Sequence, residues 1–160
     1  MALGDNTLRS AAGNSQRGRN PYMVQTTLNW ATALSDKGTA LAASDVVPVI
    51  AVPKGTMVLN AGIEVDTQTD GSTFTVDLGM VDADVFVDGF DATSAAGVVA
   101  QNPAVYHPVM AVADDNIDVT IASLSGGAVS SGKFRIWAVL MDCTDMGDTA
   151  ADEVDRDALA

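Results

Sequence analysis

The chain has 160 residues, with 21 acidic against 8 basic side chains and a formal net charge of −13. Its length fits a single domain with short extensions, and a hydrophobic content of 48% is enough to form a core. So negative a chain has no general attraction for nucleic acid or an anionic membrane, and we expect neither as a partner. The single cysteine, Cys143, excludes an intrachain disulfide and a cysteine-rich zinc site.

The acidic excess consists almost entirely of aspartate, which is typical of turns and loops rather than of helix surfaces. The first thirty residues contain no apolar segment like that of a signal peptide. No apolar run reaches the roughly 20 residues that cross a bilayer as a helix. We therefore expect a β-rich protein that is synthesised in the cytoplasm without a recognisable leader.

Charge divides the chain into three predicted parts. Residues 1–20 form a basic arm rich in Gly, Ser and Asn, in which Arg9, Arg17 and Arg19 are the candidate contacts with a partner. Residues 21–142 form the predicted β-sandwich domain, and residues 143–160 form an acidic tail. Both ends are poor in large apolar residues, so they are either arms that dock on neighbouring subunits or frayed termini.

The first strands of the domain are predicted from alternating side chains. The side chains of residues 22–29 alternate between two faces of a strand. Residues 46–52 form a β-branched run, and Pro48 within it indicates an edge strand or the start of a strand. Residues 57–66 and 73–79 are two further strands. The Asp70-Gly71 pair between them predicts a hairpin.

The second half begins with a polar loop over residues 82–103, followed by a short strand at 105–109 and a clean alternation at 116–122. The last strand, residues 133–142, has Phe134, Ile136, Ala138 and Leu140 on one face. Its other face carries Trp137, Val139 and Met141 and is partly apolar, as in a strand at a subunit interface. We predict that these three residues form an oligomer interface.

Seven to nine short strands separated by Gly, Asp and Ser turns predict an all-β fold, an antiparallel β-sandwich or jelly roll. Helical turns are expected only near residues 31–35, 93–100 and 149–159. Trp30 and Trp137 lie beside strands and are interpreted as core or interface anchors.

Catalysis has little support, and we predict no catalytic residue and no cofactor. His107 is the only histidine, and its position between Tyr106 and Pro108 in a strand-like run favours a structural role. The chain contains no phosphate-binding loop, no dinucleotide fingerprint, no HExxH and no GxSxG. We therefore do not expect an enzyme.

Calcium is the ion that best suits the chain. Asp82, Asp84 and Asp88 place hard oxygen ligands in one loop, and residues 114–118 hold a second, looser acidic cluster. The spacing does not match an EF-hand loop, and a solvated acidic loop is the more common reason for such a pattern.

One stretch of sequence resembles a known group of proteins. Residues 46–65 combine an apolar strand, Pro53-Lys54-Gly55-Thr56 and an alternating strand, and the pattern continues through residues 71–79 and 82–87. Over about residues 22–142 the chain resembles small virion structural proteins of tailed bacteriophages, described as head decoration (cement) proteins or as fibre or knob proteins.

The resemblance implies a β-sandwich or jelly-roll subunit, commonly a homotrimer, bound to the major capsid protein on the outer surface of the virion capsid. It carries no catalytic residues, and neither loop 82–103 nor the arm matches a signature of the group. The leading hypothesis is therefore a decoration protein that stabilises a phage head by bridging capsomers. The alternative is a host-adhesion or carbohydrate-binding β module of a tail or fibre, with binding that depends on calcium.

Overall fold

The computed structural model describes residues 21–101 and 108–143. The predictions made for the arm of residues 1–20, for His107 and most of the strand at residues 105–109, and for the tail beyond Cys143 lie outside these ranges. Within them, no helix has the length and apolar character needed to cross a membrane.

The described residues form short strands and one short helix. In chain order these are β1 (Tyr22–Asn29), α1 (Trp30–Lys37), β2 (Val46–Val52), β3 (Thr56–Thr67), β4 (Thr73–Gly79), β5 (Val87–Asp91), β6 (Val99–Ala100), β7 (Val109–Met110), β8 (Asp115–Ser125) and β9 (Lys133–Asp142).

The strands form two antiparallel sheets that pack face to face. The first sheet has the order β1-β9-β3-β6, with β7 also paired to β3, and the second has the order β2-β8-β4-β5. The pairs are nested along the chain: β1 with β9, β2 with β8, β3 with β6 and β7, and β4 with β5. This nesting is that of a long hairpin wound into two sheets, which is a jelly roll. The all-β prediction is confirmed.

The predicted hairpin at Asp70-Gly71 is wrong. β3 pairs with β9 in the first sheet and β4 pairs with β8 in the second, so the connection between them crosses from sheet to sheet. The Asp70 carboxylate instead accepts hydrogen bonds from the Ser130 hydroxyl at 2.6 Å, the Ser130 N–H at 2.9 Å and the Ser131 N–H at 3.1 Å. Asp70 thus ties this crossing to the loop between β8 and β9.

The region predicted as one long loop, residues 82–103, contains two strands. β5 pairs with β4, and β6 pairs with β3. Both strands are short and rich in Gly, Asp or Ala, so their pairing depends on neighbouring strands rather than on their own sequence. Residues 93–98 form turns and bends rather than a helical turn.

The core lies between the two sheets and follows the predicted alternation. β9 contributes its four predicted inward residues, and the inward residues of β4 and β8 are also buried. The helix is capped at its start by Asn29, whose side chain accepts a hydrogen bond from the Ala31 N–H at 3.0 Å, and at its end by Gly38, with a φ of 71°. It places Trp30 in the core, edge-on to Phe74 and Phe134 at ring distances of 4.9 and 5.5 Å.

Candidate assembly surface

The outer faces of the two sheets differ in character. On the first sheet, five outward residues of β1, β3 and β9 are large and apolar, and they lie among polar ones such as Gln25, Thr27 and Asn60. We call the outward-facing apolar residues of this sheet the apolar face. Its members are Met23, Met57, Val99, Met110, Trp137, Val139 and Met141.

Three methionines lie side by side across the apolar face. Met57 on β3 is directly opposite Met141 on β9 and Met110 on β7. In the next strand over, Met23 on β1 is opposite Val139. Methionine side chains are flexible and polarizable, and they adapt to different partner surfaces.

Much of this apolar surface is exposed to solvent. The exposed fraction is 64% for Met23, 54% for Val99 and 39% for Met110. Trp137, Val139 and Met141, predicted from sequence as interface residues, are partly buried on the same face. Exposed apolar side chains of this kind favour an interaction surface, so an interface role for Trp137, Val139 and Met141 stays a prediction with added support.

Trp137 lies against a glycine at the centre of the face. Gly62 on β3 is its cross-strand neighbour, and a Cβ placed on Gly62 would be 2.5 Å from Cζ2 of the indole. The carbonyl oxygen of Ala100 would be 2.9 Å from the same position. A side chain at residue 62 would therefore displace the indole, so glycine here sets how closely Trp137 approaches the sheet.

An ion-pair cluster borders the apolar face. Arg135 Nη1 lies 3.0 Å from Glu64 Oε2, and Arg135 Nη2 lies 3.5 Å from Asp66 Oδ1. All three side chains are at least partly exposed, so each pair contributes little to stability. The cluster does supply a fixed pattern of charge beside the apolar residues.

Positive charge is concentrated on this side of the molecule. The described residues hold fourteen acidic side chains and only four basic ones, Lys37, Lys54, Lys133 and Arg135. Two of the four, Lys133 and Arg135, lie on the outward side of β9. The outer surface of the first sheet is therefore less negative than the rest of the described protein.

The outer face of the second sheet is polar and acidic over β4, β5 and β8, while β2 exposes Val46 and Pro48. Thr75 and Ser123 share a hydrogen bond of 2.7 Å, and the Asp77 carboxylate accepts one of 2.7 Å from the Gly89 N–H. Partial burial raises the pKa of Asp77 above its ordinary value, with the charges on Asp88 and Asp84 adding to the effect. Such a surface is suited to contact with water.

Asp118 on β8 has a carboxyl group that is partly buried on this face. Its Oδ1 is buried and has no hydrogen-bond partner among the described residues. Burial raises the pKa of Asp118, and the neighbouring charge on Asp115 raises it further. The carboxyl lies between Pro48 and Gly79 of the flanking strands, and neither of these residues has a side chain that donates a hydrogen bond.

The three predicted calcium ligands are not arranged as a metal-binding group among the described residues. A hydrogen bond between the Asp82 and Asp84 carboxyl groups raises the pKa of Asp82, and the charge on Asp84 adds to it. The charges on Asp88 and Asp84 both contribute to the raised pKa of Asp77. Among residues 21–101 and 108–143, no group of three His, Cys, Asp or Glu side chains is arranged to hold a metal ion. Calcium binding stays a prediction.

The remaining site predictions lie outside the described residues or are extended by the structure. Arg9, Arg17, Arg19 and His107 fall outside, so their roles stay predictions. The apolar face is larger than the predicted set of Trp137, Val139 and Met141. Other strands add Met57, Val99 and Met110 to it. Val99 lies in the predicted loop and Met110 just beyond a predicted strand, so only the pairing of strands that are distant in the chain shows that these residues meet.

No protein-family model and no curated protein matches this sequence. Several solved structures do match its fold. A chain in the capsid asymmetric unit of cyanophage Pam1 has a TM-score of 0.61 at 16% identity, covering 88% of this chain and 97% of that one. The chain shares its fold with a phage capsid chain.

Two further phage capsids contain a similar chain. The match in the capsid of Ralstonia phage GP4 has a TM-score of 0.57 at 15% identity, covering 79% of this chain and 86% of that one. The match in the acidic stable capsid structure of Helicobacter pylori bacteriophage KHP30 has a TM-score of 0.51 at 14% identity, covering 76% and 86%. At these identities the likeness is one of fold.

Proposed function

We propose that this protein is a structural component of a bacteriophage virion, and specifically a decoration (cement) protein on the outer surface of the capsid. In this role it binds the major capsid protein and stabilises the head by bridging capsomers. It performs no catalysis. The observation that carries the proposal is the fold, which matches a chain of the Pam1 capsid over almost the full length of both chains.

The two outer faces suit such a subunit. The apolar face provides a surface for association, and the acidic face of the second sheet suits contact with solvent. Negative charge over most of the molecule opposes non-specific aggregation between copies, so association is favoured only where charge is low or balanced. The apolar face, bordered by Arg135 and its two carboxylates, meets this condition.

The proposed assembly is a homotrimer formed through the apolar face, with Trp137, Val139 and Met141 at its centre. The basic arm then contacts the capsid through Arg9, Arg17 and Arg19. An arm of positive charge on an acidic body allows the subunit to reach a shell surface without bringing its own acidic surface close.

Capsid binding by purified protein tests the proposal. Phage capsids prepared without this protein are mixed with the full chain or with a form that lacks residues 1–20, and bound protein is measured after sedimentation. We expect the full chain to saturate the capsids, and the shortened form to stay folded by circular dichroism but lose binding. Full occupancy by the shortened form contradicts the arm's role, and no binding by the full chain contradicts the decoration role.

A matched pair of variants tests the apolar face. Met110→Lys places a charge on the face, whereas Val81→Lys places the same charge on a turn where the native side chain is 86% exposed. We expect Met110→Lys to lower the native mass to one third of the wild-type value, with no change for Val81→Lys. A wild-type mass for Met110→Lys contradicts association through this face.

The alternative of a calcium-dependent carbohydrate-binding module gains no specific support. Its predicted ligands are not arranged to hold a metal ion among the described residues, and the apolar face carries a single aromatic ring, Trp137. Sugar-binding surfaces usually present several aromatic rings on which sugar rings stack.

A further inference from the structure

The outer edge of β1 is an open strand edge. β1 is the last strand of its sheet, and its eight residues pair with β9 in one unbroken register from Tyr22 to Asn29. On its other side, none of the strands formed by the described residues pairs with it. A row of unpaired backbone N–H and C=O groups on such an edge is a template for another strand.

The ladder shows which backbone groups are unpaired. The Trp30 N–H donates to the Gly132 carbonyl at 3.1 Å, which continues the register of β1 with β9 by one residue. In an antiparallel ladder, alternate residues direct both backbone groups to the same neighbour. The even-numbered residues of β1 therefore bond to β9, and Met23, Gln25 and Thr27 direct their N–H and C=O groups outward.

The other sheet edges carry features that block pairing. β2 contains Pro48 and a register shift, and β5 is short and carries Asp88 and Asp91. β6 and β7 have two residues each. Prolines, bulges, charges and short length are the devices by which edge strands avoid pairing with other chains.

β1 has none of these devices. Its sequence, YMVQTTLN, contains no charge and no proline, and its register has no bulge. Two of its side chains are large, apolar and exposed: Tyr22 at 46% and Met23 at 64%. Among the sheet edges of the described residues, β1 is therefore the one without such a device.

We propose that β1 pairs antiparallel with β1 of a second copy, across a two-fold axis at Gln25. In this register the outward backbone groups are satisfied, because Met23 of each copy lies opposite Thr27 of the other and Gln25 lies opposite itself. Opposed residues must also lie on the same side of the sheet, which holds here since paired residue numbers differ by even steps. The two first sheets then form one continuous sheet.

The charges favour a second copy as the partner. Most of the described surface is acidic, so two copies repel each other over most of it but not along β1. β1 is uncharged, so two copies can align their strands without opposing like charges. On the side of the sheet that faces the core, the register places Tyr22 opposite Leu28 of the second copy and removes exposed apolar area from water. The basic Lys133 and Arg135, paired to the end of β1, further reduce local negative charge.

This contact is separate from the proposed trimer. The trimer uses the apolar face of the sheet, whereas the two-fold contact uses its edge, so the two contacts together would join two trimers into a closed hexamer. The edge contact follows from the strand alone and does not require that the protein bind a capsid.

Two substitutions of Gln25, one to proline and one to alanine, test the contact. Gln25→Pro removes an N–H that β9 does not use and leaves the ladder of the fold intact, whereas Gln25→Ala keeps every backbone group. We expect Gln25→Pro to halve the native mass measured by analytical ultracentrifugation, and Gln25→Ala to keep it. An unchanged mass for Gln25→Pro overturns the proposal, as does a wild-type mass that is not an even multiple of the chain.

Hydrogen exchange of the wild-type protein provides a second test that does not depend on the variants folding. At high protein concentration the amides of Met23, Gln25 and Thr27 should be protected, and dilution should remove their protection. The amides of Val24 and Thr26, which bond to β9, should stay protected at both concentrations. Rapid exchange at Met23, Gln25 and Thr27 at high concentration overturns the proposal. Loss of the trimer contact lowers the native mass threefold, whereas loss of the edge contact halves it. The failure of one contact is therefore distinguished from the failure of the other.

Discussion

Trp137 and Gly62 occupy one site on the outer face of the first sheet, where the indole takes the space that a side chain on residue 62 would need. A Cβ on Gly62 would lie 2.5 Å from Cζ2 and 2.7 Å from Cε2 of the indole. The pair connects β3 to β9 at the centre of the apolar face. It thus links the geometry of the sheet to the surface proposed for assembly.

Gly62→Ala should destabilise the protein by about 1 to 3 kcal/mol, because the added methyl forces the indole and the Ala100 carbonyl to move. Urea denaturation followed by circular dichroism measures the change. In a Trp137→Ala background the same substitution should cost less, since two of the three close contacts belong to the indole. Equal costs in both backgrounds would show that the indole does not occupy the site.

Asp118→Asn should stabilise the protein at neutral pH. The charged carboxyl is disfavoured where it lies, and its removal should raise the free energy of unfolding by about 0.5 to 1 kcal/mol after allowance for partial exposure. The pKa of Asp118 in the folded protein is above the ordinary value of 3.8. The penalty is therefore complete above the folded pKa and disappears as the pH falls to 3.8. A variant that is less stable than the wild type at pH 7 would contradict this account.

Asp70→Asn should have the opposite effect. Hydrogen bonds, first from the Ser130 hydroxyl and then from backbone N–H groups, lower the pKa of Asp70 to about 2. Its stabilisation is present above the ordinary value of 3.8 and is lost as the pH falls through about 2. At pH 7 the variant should lose about 1 kcal/mol, reduced by solvent screening at this exposed position. Thermal melts from pH 2 to pH 7 should show the two proteins converging at the acid end.

The calcium prediction can be tested by the melting temperature. If Asp82 and Asp84 bind the ion, millimolar calcium should raise the melting temperature of the wild type through preferential binding to the folded state. Asp82→Asn should abolish that increase, whereas Asp36→Asn, on the exposed surface of α1, should keep it. No calcium effect on the wild type would remove the prediction.

The sequence predicts the strands better than their connections. Phe134, Ile136 and Leu140 alternate with exposed or partly buried positions, and the same physical rule that predicts their burial holds in the structure. The hairpin at Asp70-Gly71 fails because turn residues report a change of direction but not which sheet the next strand joins.

The candidate surface could be predicted only in part for a related reason. Trp137, Val139 and Met141 lie on one strand, so their common direction follows from alternation alone. Met110 and Met57 reach the same surface through pairs between strands that are distant in the chain. Such pairing depends on the whole winding of the jelly roll, which local patterns do not contain.

The most direct test of the central claim is the number of copies of this protein on intact phage heads, measured by quantitative mass spectrometry against the major capsid protein. The decoration role predicts a ratio near one copy per capsid subunit, with density for the protein on the outer surface of the shell. A few copies per particle would assign it to a tail or fibre, and its absence from purified heads would contradict the account.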